Sequence, residues 1–476
     1  MRSPGDILLL SCYELGHQPL GVAQPLGFLE RAGYRPAAQD LAIERLEPDR
    51  VARARFVGIC VPMHTALRLG VHVAARVREL NPACHIGFFG LYASLNAETL
   101  LEGAADSVIG GEYEEALVSL IQSLESGDDA PLDGVSRQGR VVGPVRKRLR
   151  FAAPSRRGLP PIERYAKLVA AGEERVVGYV EASRGCKHHC RHCPIPPVYD
   201  GAFFLVPADT VLDDIAGLVE SGARHITFGD PDFLNGPNHS RRIVRAMHER
   251  FPDLTFDCTA KIEHLLKHRN LLPEFAECGA LFVVSAVESL SDVVLAHLAK
   301  DHTRADVLDA LAILREAGIA LRPSLVAFTP WTTLEDYLDV FEIVEREGLI
   351  DAVDPVQYAI RLLVPPGSLL ATDPAMAPHL GDLDAPSFTH RWTHPDPRMD
   401  ALHRTVSRAV EAAAENGEDP AVTFARLWEL ARAASEHREP LPVVVSPDPT
   451  RPRPPRLTEP WFCCAEPTEG QFDRVL

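Results

Sequence analysis

The stretch that decides the fold is residues 176–193, VVGYVEASRGCKHHCRHC. It opens with an apolar, valine-rich run that predicts a buried strand. Three cysteines follow at once, Cys186, Cys190 and Cys193, with the spacing C-x3-C-x2-C. Thiolates are the preferred ligands of iron–sulfur clusters, and three on one loop can bind three corners of a cubane cluster. The fourth iron would then have no protein ligand and stay open to a small molecule.

Zinc is the alternative occupant of this loop, held by cysteine together with His188, His189 or His192. Structural zinc sites usually take two spaced pairs of ligands, and the sequence contains no second C-x2-C. The pattern therefore favours the cluster. Gly185 allows the backbone to turn sharply into the loop.

A regular alternation of strands and helices continues from this motif. Six βα repeats favour a partial or full barrel over residues 173–370, of the partial TIM-barrel type (βα)6, with chemistry expected at the carboxyl ends of its strands. Strands are predicted at 176–181, 225–228, 255–258, 281–285, 320–327 and 356–361, and helices at 209–221, 240–250, 272–278, 306–317 and 334–347.

A second α/β domain is predicted before the barrel, in residues 1–127. Its strands and helices alternate in the manner of a doubly wound parallel sheet, so a ligand is expected at the carboxyl ends of the strands. Residues 128–172, rich in Pro, Gly and Arg, are predicted to be a connector. The predicted strands are 6–11, 56–61, 85–90 and 107–109, and the predicted helices are 21–32, 64–80 and 112–124.

The C-terminal extension falls into two parts. Residues 371–440 predict an Ala-rich helix over 396–436, and residues 441–476 form a Pro-rich tail. The stretch 439–460 holds eight prolines and is predicted to lack regular structure.

Composition narrows the classes of function. The chain has 476 residues, 46% of them apolar, and no run of about 18 apolar residues that would predict a membrane-spanning helix. A net charge of −17 argues against binding to nucleic-acid backbones or anionic membranes. Ten cysteines in a chain this long are too sparse for a disulfide scaffold, so a reducing, cytoplasmic location is predicted.

The cysteine loop after the first strand of a βα barrel resembles the radical S-adenosylmethionine (SAM) superfamily. The resemblance covers roughly residues 176–370 and implies a [4Fe–4S] cluster on Cys186, Cys190 and Cys193. It further implies that SAM binds the open iron through its amino and carboxylate groups. One electron from the cluster then breaks a carbon–sulfur bond of SAM, usually with release of a 5′-deoxyadenosyl radical.

The same resemblance implies contacts to SAM at the ends of other strands. Residues 228–232 can also be read as an Asp-rich turn that binds no ligand. Arg361, at the last predicted strand, is a weaker candidate for contact with SAM, and its alternative role is a structural ion pair. Lys261 and His264 are expected near the barrel mouth without an assigned role. The implied contacts are Gly229 and Asp230 for the amino group, Ser285 and Glu288 for the ribose, and Arg322 for the carboxylate.

The N-terminal domain is similar to the cobalamin-binding domain of one large subgroup, and Ile109-Gly110-Gly111-Glu112 resembles the close of that domain. Base-off cobalamin binding usually needs a D-x-H-x-x-G loop. Here the loop reads Glu14-Leu-Gly-His17-Gln-Pro-Leu-Gly21, with no Asp two residues before the histidine and with Gly four residues after it. Whether this domain binds cobalamin therefore stays open, and the favoured interpretation is a domain that shapes or covers the active site.

The tail ends in Cys463-Cys464-Ala465-Glu466-Pro467. Adjacent thiols form a strained mutual disulfide but can bind a soft, thiophilic centre. The segment resembles the CCAEP/CUAEP-tail radical SAM proteins, some of which carry selenocysteine in the pair. Catalytic roles are therefore predicted for Cys463 and Cys464, with incidental cysteines on an exposed tail as the alternative.

Together these patterns predict a radical SAM transferase that acts on a small molecule and takes electrons from a flavodoxin or ferredoxin. The specific hypothesis is transfer of a 3-amino-3-carboxypropyl or related carbon group from SAM to arsenite bound by Cys463 and Cys464. A cobalamin-dependent methylase, or another radical enzyme acting on a small organic substrate, is one alternative. A non-catalytic sensor of metals or metalloids is the other.

Overall fold

The computed structural model describes residues 1–435, 451–459, 462 and 464–475. Its N-terminal part is a six-stranded sheet in the order β2-β1-β3-β4-β5-β6, parallel except for β6. This confirms the predicted doubly wound domain. The strands are β1 (Ile7–Ser11), β2 (Ala37–Asp40), β3 (Phe56–Cys60), β4 (His85–Phe89), β5 (Ser107–Ile109) and β6 (Val135–Arg137), and the helices are α1 (Leu20–Arg31), α2 (Pro48–Arg53), α3 (His64–Leu80), α4 (Leu91–Leu95), α5 (Ala97–Leu101) and α6 (Glu114–Ser126).

Both faces of this sheet are covered. Alternate residues of β1 belong to different cores, with Ile7 and Leu9 on one face and Leu8 and Leu10 on the other. Continuous apolar strands of this kind are typical of parallel sheets buried between two layers of helices. The edge formed by the carboxyl ends of the strands is therefore where a ligand or another domain can bind.

The second sheet has seven strands in the order β14-β13-β12-β11-β8-β7-β17, where β17 is the short strand Arg456–Leu457. The five strands from β8 to β14 in this order are parallel and form an open half-barrel. The strands of this region are β7 (Lys167–Ala170), β8 (Glu173–Val180), β9 (Ser183–Gly185), β10 (Phe203–Leu205), β11 (His225–Phe228), β12 (Thr255–Thr259), β13 (Ala280–Glu288) and β14 (Ala320–Leu325); the helices are α7 (Ile195–Tyr199), α8 (Ala208–Glu220), α9 (Pro237–Arg250), α10 (Ile262–Lys267), α11 (Leu272–Glu277), α12 (Asp292–His297), α13 (Arg304–Glu316) and α14 (Leu334–Arg346).

The sixth predicted strand, 356–361, is not a strand. Residues Pro355–Ala359 form a 3-10 helix, and the sixth position of the barrel is reduced to a parallel bridge between Phe328 and Arg361. Pro355 supplies no backbone N–H and fixes a backbone angle suited to the first turn of a helix, which accounts for the difference. The barrel consequently stays open on this side.

The C-terminal extension also departs from the prediction. The single helix predicted over 396–436 is two helices, because Gly417 adopts a left-handed conformation and the Asp419 side chain caps a new start at Pro420. Part of the Pro-rich stretch predicted to be irregular adds a strand to β7. The elements are β15 (Leu380–Asp384), β16 (Thr389–Trp392), α15 (Pro397–Glu415), α16 (Pro420–Ala434), β17 (Arg456–Leu457) and α17 (Glu469–Val475). In the part of the chain covered by the structure, no helix is long and apolar enough to cross a bilayer.

A buried cluster of charges joins the two domains. Arg184, next to the cysteine loop, forms ion pairs with Glu114 at 2.6 Å, Glu181 at 3.0 Å and Glu112 at 3.4 Å. Tyr199 donates a 2.9 Å hydrogen bond to Glu112. Since Glu112 and Glu114 directly follow the last parallel strand of the N-terminal sheet, the carboxyl edges of the two sheets face each other.

Glu14 lies buried beside this interface and accepts hydrogen bonds from the backbone N–H of Leu20 at 3.0 Å and of Gly21 at 3.2 Å. Burial raises the pKa of its carboxyl group to about 8, and the charges of Glu181 and Asp40 act in the same direction.

Between the ordinary carboxyl pKa of 4.5 and about 8, the folded protein holds a proton on Glu14 that the unfolded chain releases. This contribution to stability is therefore lost as the pH rises through that range. We expect Glu14→Gln to flatten the pH dependence, so that the difference in unfolding free energy between the two proteins changes by more than about 1 kcal/mol from pH 5 to pH 8. Denaturant titrations at both pH values measure this, with the exposed Glu47→Gln as control. Parallel pH profiles for wild type and Glu14→Gln would contradict it.

Candidate cofactor site at the barrel mouth

The three cysteines share one site at the end of the first barrel strands. Cys186 and Cys190 are buried and Cys193 is half-buried. The backbone N–H of Cys193 donates to the carbonyl of Cys190 at 3.2 Å, which closes the loop on itself. Burial raises the pKa of the Cys193 thiol, and the neighbouring thiols of Cys190 and Cys186 raise it further. Three thiols on one loop that act on one another electrostatically fit a metal cluster, whose positive charge would favour the thiolate forms.

Gly185 makes the turn into the loop, as predicted. Its φ is +75°, and a Cβ atom there would lie 2.3 Å from the carbonyl oxygen of Ala202. The close approach arises because β9 and β10 form a two-stranded ribbon that pairs Gly185 with Phe203. Both the backbone angle and the space therefore require glycine.

Gly229 and Asp230 lie at the end of β11, beside the start of the loop. A Cβ atom on Gly229 would lie 2.2 Å from the Tyr179 hydroxyl, so glycine is again required by a close approach. Asp230 is buried and accepts hydrogen bonds from the Ala182 N–H at 2.9 Å and from the Ser183 hydroxyl. Burial raises the pKa of Asp230 to about 7. Its carboxyl group thus holds the backbone that leads into the cysteines, and the predicted contact to SAM stays a prediction.

Glu288 reaches the cysteine loop from the end of β13. Its Oε1 lies 3.1 Å from Nε2 of His192 and accepts a 3.3 Å hydrogen bond from Lys300 Nζ. Burial acts to raise the pKa of Glu288, but the charges of Lys300 and His192 outweigh it and lower the pKa to about 2. Glu288 also has a φ of +63°, a strained conformation of the kind found at functional sites.

The loop histidines have partners other than the cysteines. His188 contacts His264 with 3.3 Å between the Nε2 atoms, and His264 in turn bonds to Asp232 at 2.6 Å. His189 is exposed and lies 3.7 Å from Asp200. Within the described ranges, no group of ligand atoms close enough for a single ion includes any of the three cysteines. This arrangement argues against zinc held by cysteine and histidine together.

Two residues predicted to contact SAM have partners within the protein, and their contact to SAM stays a prediction. The hydroxyl of Ser285 is fully buried and donates to the carbonyl of Ala260 at 2.7 Å, on the face of β13 that packs against the helices. Arg322 forms an ion pair with Asp354 at 2.6 Å and reaches the backbone of Pro455, towards the tail strand β17. The structure thus gives both residues internal partners. Single-strand patterns could not show this, because the partners come from distant segments.

Sequence reasoning missed two polar residues beside the cysteines, Lys300 and Asn235, and gave Lys261 no role. Lys300 is buried. Burial acts to lower the pKa of its ammonium group, but the charges of Glu288, Cys190 and Cys193 outweigh burial and raise the pKa. The Asn235 amide donates to Cys186 Sγ at 3.5 Å. Lys261, noted only for its place near the mouth, is buried, makes a 3.5 Å ion pair with Glu263, and has no hydrogen-bond partner for its ammonium among the described residues. Asn235 and Lys261 lie in the segments that follow β11 and β12, and this position is the signal that could have identified them, whereas Lys300 follows helix α12 and carries no such signal.

The tail lies against a cavity of about 530 Å³ on the open side of the barrel. Cys464 lines this cavity, whereas Cys463 and Trp461 lie outside the described residues. Arg361 is also part of the wall, stacked on Trp392 at 3.5 Å and paired with Asp400 at 2.9 Å. The other polar groups of the wall include His390, His403, Arg391, Asp384, Glu411 and Glu466.

Fold and site together define one architecture. A doubly wound domain precedes a half-barrel of parallel strands, and three cysteines follow the first strand of that half-barrel. Residues 180–346 match the sequence model of the Radical SAM superfamily. This part of the chain is a radical SAM domain, for which a [4Fe–4S] cluster and SAM are the cofactors. The three clustered cysteines fit that cluster.

Curated relatives match over part of their length. One is tRNA-2-methylthio-N(6)-dimethylallyladenosine synthase of Desulfosudis oleivorans, 28% identical over 204 residues, which are 40% of this chain and 42% of that protein. The protein of the same name from Alkalilimnicola ehrlichii is 24% identical over 305 residues, or 61% and 62% of the two chains. The chain thus spans less than two thirds of the length of these relatives.

Solved structures show the same fold over more of the chain. The radical SAM methyltransferase TsrM from Kitasatospora setae, with cobalamin and a [4Fe–4S] cluster bound, has a TM-score of 0.57 and 17% identity, covering 73% of this chain and 71% of that one. The cobalamin-dependent SAM radical enzyme OxsB with aqua-cobalamin bound has a TM-score of 0.66 and 14% identity, covering 90% and 71%. The likeness includes the N-terminal domain.

We expect Gly185→Ala to lower the iron content of anaerobically purified protein to less than about half of the wild-type value, because both the backbone angle and the Ala202 carbonyl oppose a Cβ atom. Iron and sulfide analysis measures this. Gly172→Ala is the matched control: its φ is also positive, but no atom lies within 4 Å of the added carbon. Equal iron loss in both variants would show that the close approach at Gly185 is unimportant.

Proposed function

We propose that the protein is a radical SAM transferase that cleaves SAM reductively and passes a carbon group to a small substrate held in the cavity lined by Cys464. The observation that carries the first half is the cluster of Cys186, Cys190 and Cys193 in the matched radical SAM region. The bound cluster supplies the electron that breaks a carbon–sulfur bond of SAM. A flavodoxin or ferredoxin is the proposed source of that electron.

The residues around the loop position it for this chemistry. Asp230 holds the backbone at Ala182 and Ser183, where the chain enters the loop. Glu288 and Lys300 form a buried ion pair at 3.3 Å that also contacts the loop through His192. Because Lys300 lies near Cys190 and Cys193, its positive charge also offsets the charge of their thiolates.

The contacts proposed for SAM follow from these positions. Gly229, Asp230 and Glu288 lie at strand ends beside the loop and keep the roles predicted for them. Lys261 replaces Arg322 as the proposed partner of the SAM carboxylate, since its buried ammonium lacks a hydrogen bond within the described residues. Burial and the charge of Lys261 both lower the pKa of His188, which places the ammonium beside the cysteine loop.

We propose trivalent arsenic as the substrate class. An adjacent pair of thiols suits a thiophilic centre, and Cys464 lines a cavity on the open side of the barrel. In this reaction one electron breaks the bond between the sulfonium and the γ-carbon of the methionyl group, methylthioadenosine leaves, and the resulting carbon radical adds to the As(III) of arsenite held by Cys463 and Cys464. Loss of one electron from the adduct, back to the group that supplied it, leaves As(V) with a new carbon–arsenic bond, so that no electron is consumed overall.

The names of the structural neighbours favour a second candidate, a cobalamin-dependent methylase. The two reactions differ in their products. Methylthioadenosine together with an arsenic-bound carbon chain supports the first, and methyl transfer with bound corrin supports the second. Binding of arsenite or metal without any cleavage of SAM would instead indicate a sensor.

We expect Lys261→Met to weaken binding of SAM to the cluster-loaded protein by about tenfold or more, since a charge-assisted hydrogen bond contributes roughly 1.5–3 kcal/mol. Equilibrium dialysis with labelled SAM measures this under anaerobic conditions. Lys267→Met, at an exposed position of the same helix α10, is the control. Unchanged affinity in Lys261→Met would remove Lys261 from the SAM site.

We expect Cys464→Ser to lower product formed per SAM cleaved by more than about tenfold, with reductive cleavage of SAM retained, because the thiol holds the substrate while the cluster cleaves SAM. The experiment follows one anaerobic turnover with SAM and arsenite and identifies the nucleoside and arsenic products. We expect the same loss of product in Cys463→Ser. Cys278→Ala serves as the control, because Cys278 lies at the end of helix α11, far from Cys464 in the sequence. Full coupling in Cys464→Ser would refute the role of the tail.

A further inference from the structure

The chain's own C-terminal segment lies on the N-terminal domain, at the first turn of α3. Thr65 Oγ1 donates to the carbonyl of Ala465 at 2.8 Å. His64 Nε2 lies 2.9 Å from Oε1 of Glu466, and Arg68 Nη1 pairs with the other carboxylate oxygen at 2.5 Å. Three neighbouring residues of one helix thus bind two successive residues of the tail, directly after Cys464.

The last helix strengthens this contact. Helix α17 packs against α3, and Val475 is buried in the same core as Leu8 and Leu10 of β1. Phe472 packs against this core and meets His72 edge to face, with 5.6 Å between ring centroids. The tail is therefore built into the packing of the N-terminal domain, and the polar contacts at Ala465 and Glu466 fix its register.

The binding position is the carboxyl edge of the sheet, where doubly wound domains bind their ligands. His64 and Thr65 follow β3 by only a few residues, and His64 is almost fully buried. The loop after β1 is also occupied, because the His17 ring stacks on Tyr179 of the barrel with 4.3 Å between centroids.

The loop after β5 is filled in the same way. A Cβ atom on Gly111 would lie 2.1 Å from the carbonyl of Val145 in the connector, and Glu112 bonds to Tyr199. The histidine that would serve as a lower cobalt ligand is thus stacked against the barrel, and the neighbouring loops contact other parts of the chain. These residues do not fit a corrin ring.

We infer that the N-terminal domain binds the C-terminal segment of its own chain where related domains bind cobalamin, and that this docking holds Cys464 in the cavity wall. The role given to Cys464 rests on the proposed function, whereas the docking itself does not. His64, Thr65 and Arg68 are positioning residues: they act on the thiol through Ala465 and Glu466.

The docking is tested on the full-length, cluster-loaded protein with the double variant Thr65→Val/Arg68→Ala. Hydrogen exchange of the peptide containing residues 464–475 should speed up by about tenfold or more. Arg76→Ala is the matched control, because Arg76 lies on the exposed side of the same helix and pairs with Glu79. A second variant, Phe472→Ala, should produce the same loss of protection through packing. Wild-type exchange in both variants would overturn the docking.

Two further readouts complete the test. Wild-type protein incubated with hydroxocobalamin and desalted should retain no corrin, and one corrin per chain would overturn the inference. In Thr65→Val/Arg68→Ala, product formed per SAM cleaved should fall by about tenfold while cleavage without substrate continues. If wild-type protein does not cleave SAM at all, the proposed function fails, and the exchange and corrin results still decide the docking.

Discussion

Three thiolates on a single short loop can reach only three corners of a cubane cluster, and the rest of the barrel mouth is arranged around that limit. The loop must leave the first strand at a fixed angle, and Gly185 provides the turn. Its start must stay in place, and the buried Asp230 bonds to it. Its far side contacts Glu288 through His192, from a strand three positions across the sheet. The cysteine loop has no apolar core of its own, so hydrogen bonds hold it in place. The buried carboxyl groups of Asp230 and Glu288 provide these bonds.

The same loop also sets the relation between the two domains. Arg184 lies two residues before Cys186 and is surrounded by Glu112, Glu114 and Glu181. One guanidinium cannot balance three buried carboxylates, and burial accordingly raises the pKa of Glu112 to about 7. Removing one partner of a buried pair typically costs about 3–5 kcal/mol, so the guanidinium strongly favours one domain arrangement. The cysteine loop and the domain interface are thus parts of one polar cluster.

The sequence predicted the parts of the structure that local pattern controls. The cysteine spacing, the buried strands of both sheets and the turn at Gly185 all follow from short-range signals, and the structure contains them. The two departures from the predicted elements have local causes: Pro355 begins a 3-10 helix in place of the sixth strand, and Gly417 divides the C-terminal helix in two. The contacts of Ser285 and Arg322 could not be predicted, because their partners are distant in the chain.

The N-terminal loop explains why a domain of this fold can take a different ligand. The position of the expected aspartate, two residues before the histidine, is Leu15, and the carboxyl group of the preceding Glu14 accepts the N–H groups at the start of α1. His17 lies flat against Tyr179, so the ring is used in packing. The carboxyl edge of this sheet presents buried polar groups such as His64 and Thr65, which must find partners. The C-terminal tail supplies those partners and at the same time carries Cys464 to the cavity on the open side of the barrel. The packing of the N-terminal domain and the position of the thiol are therefore coupled.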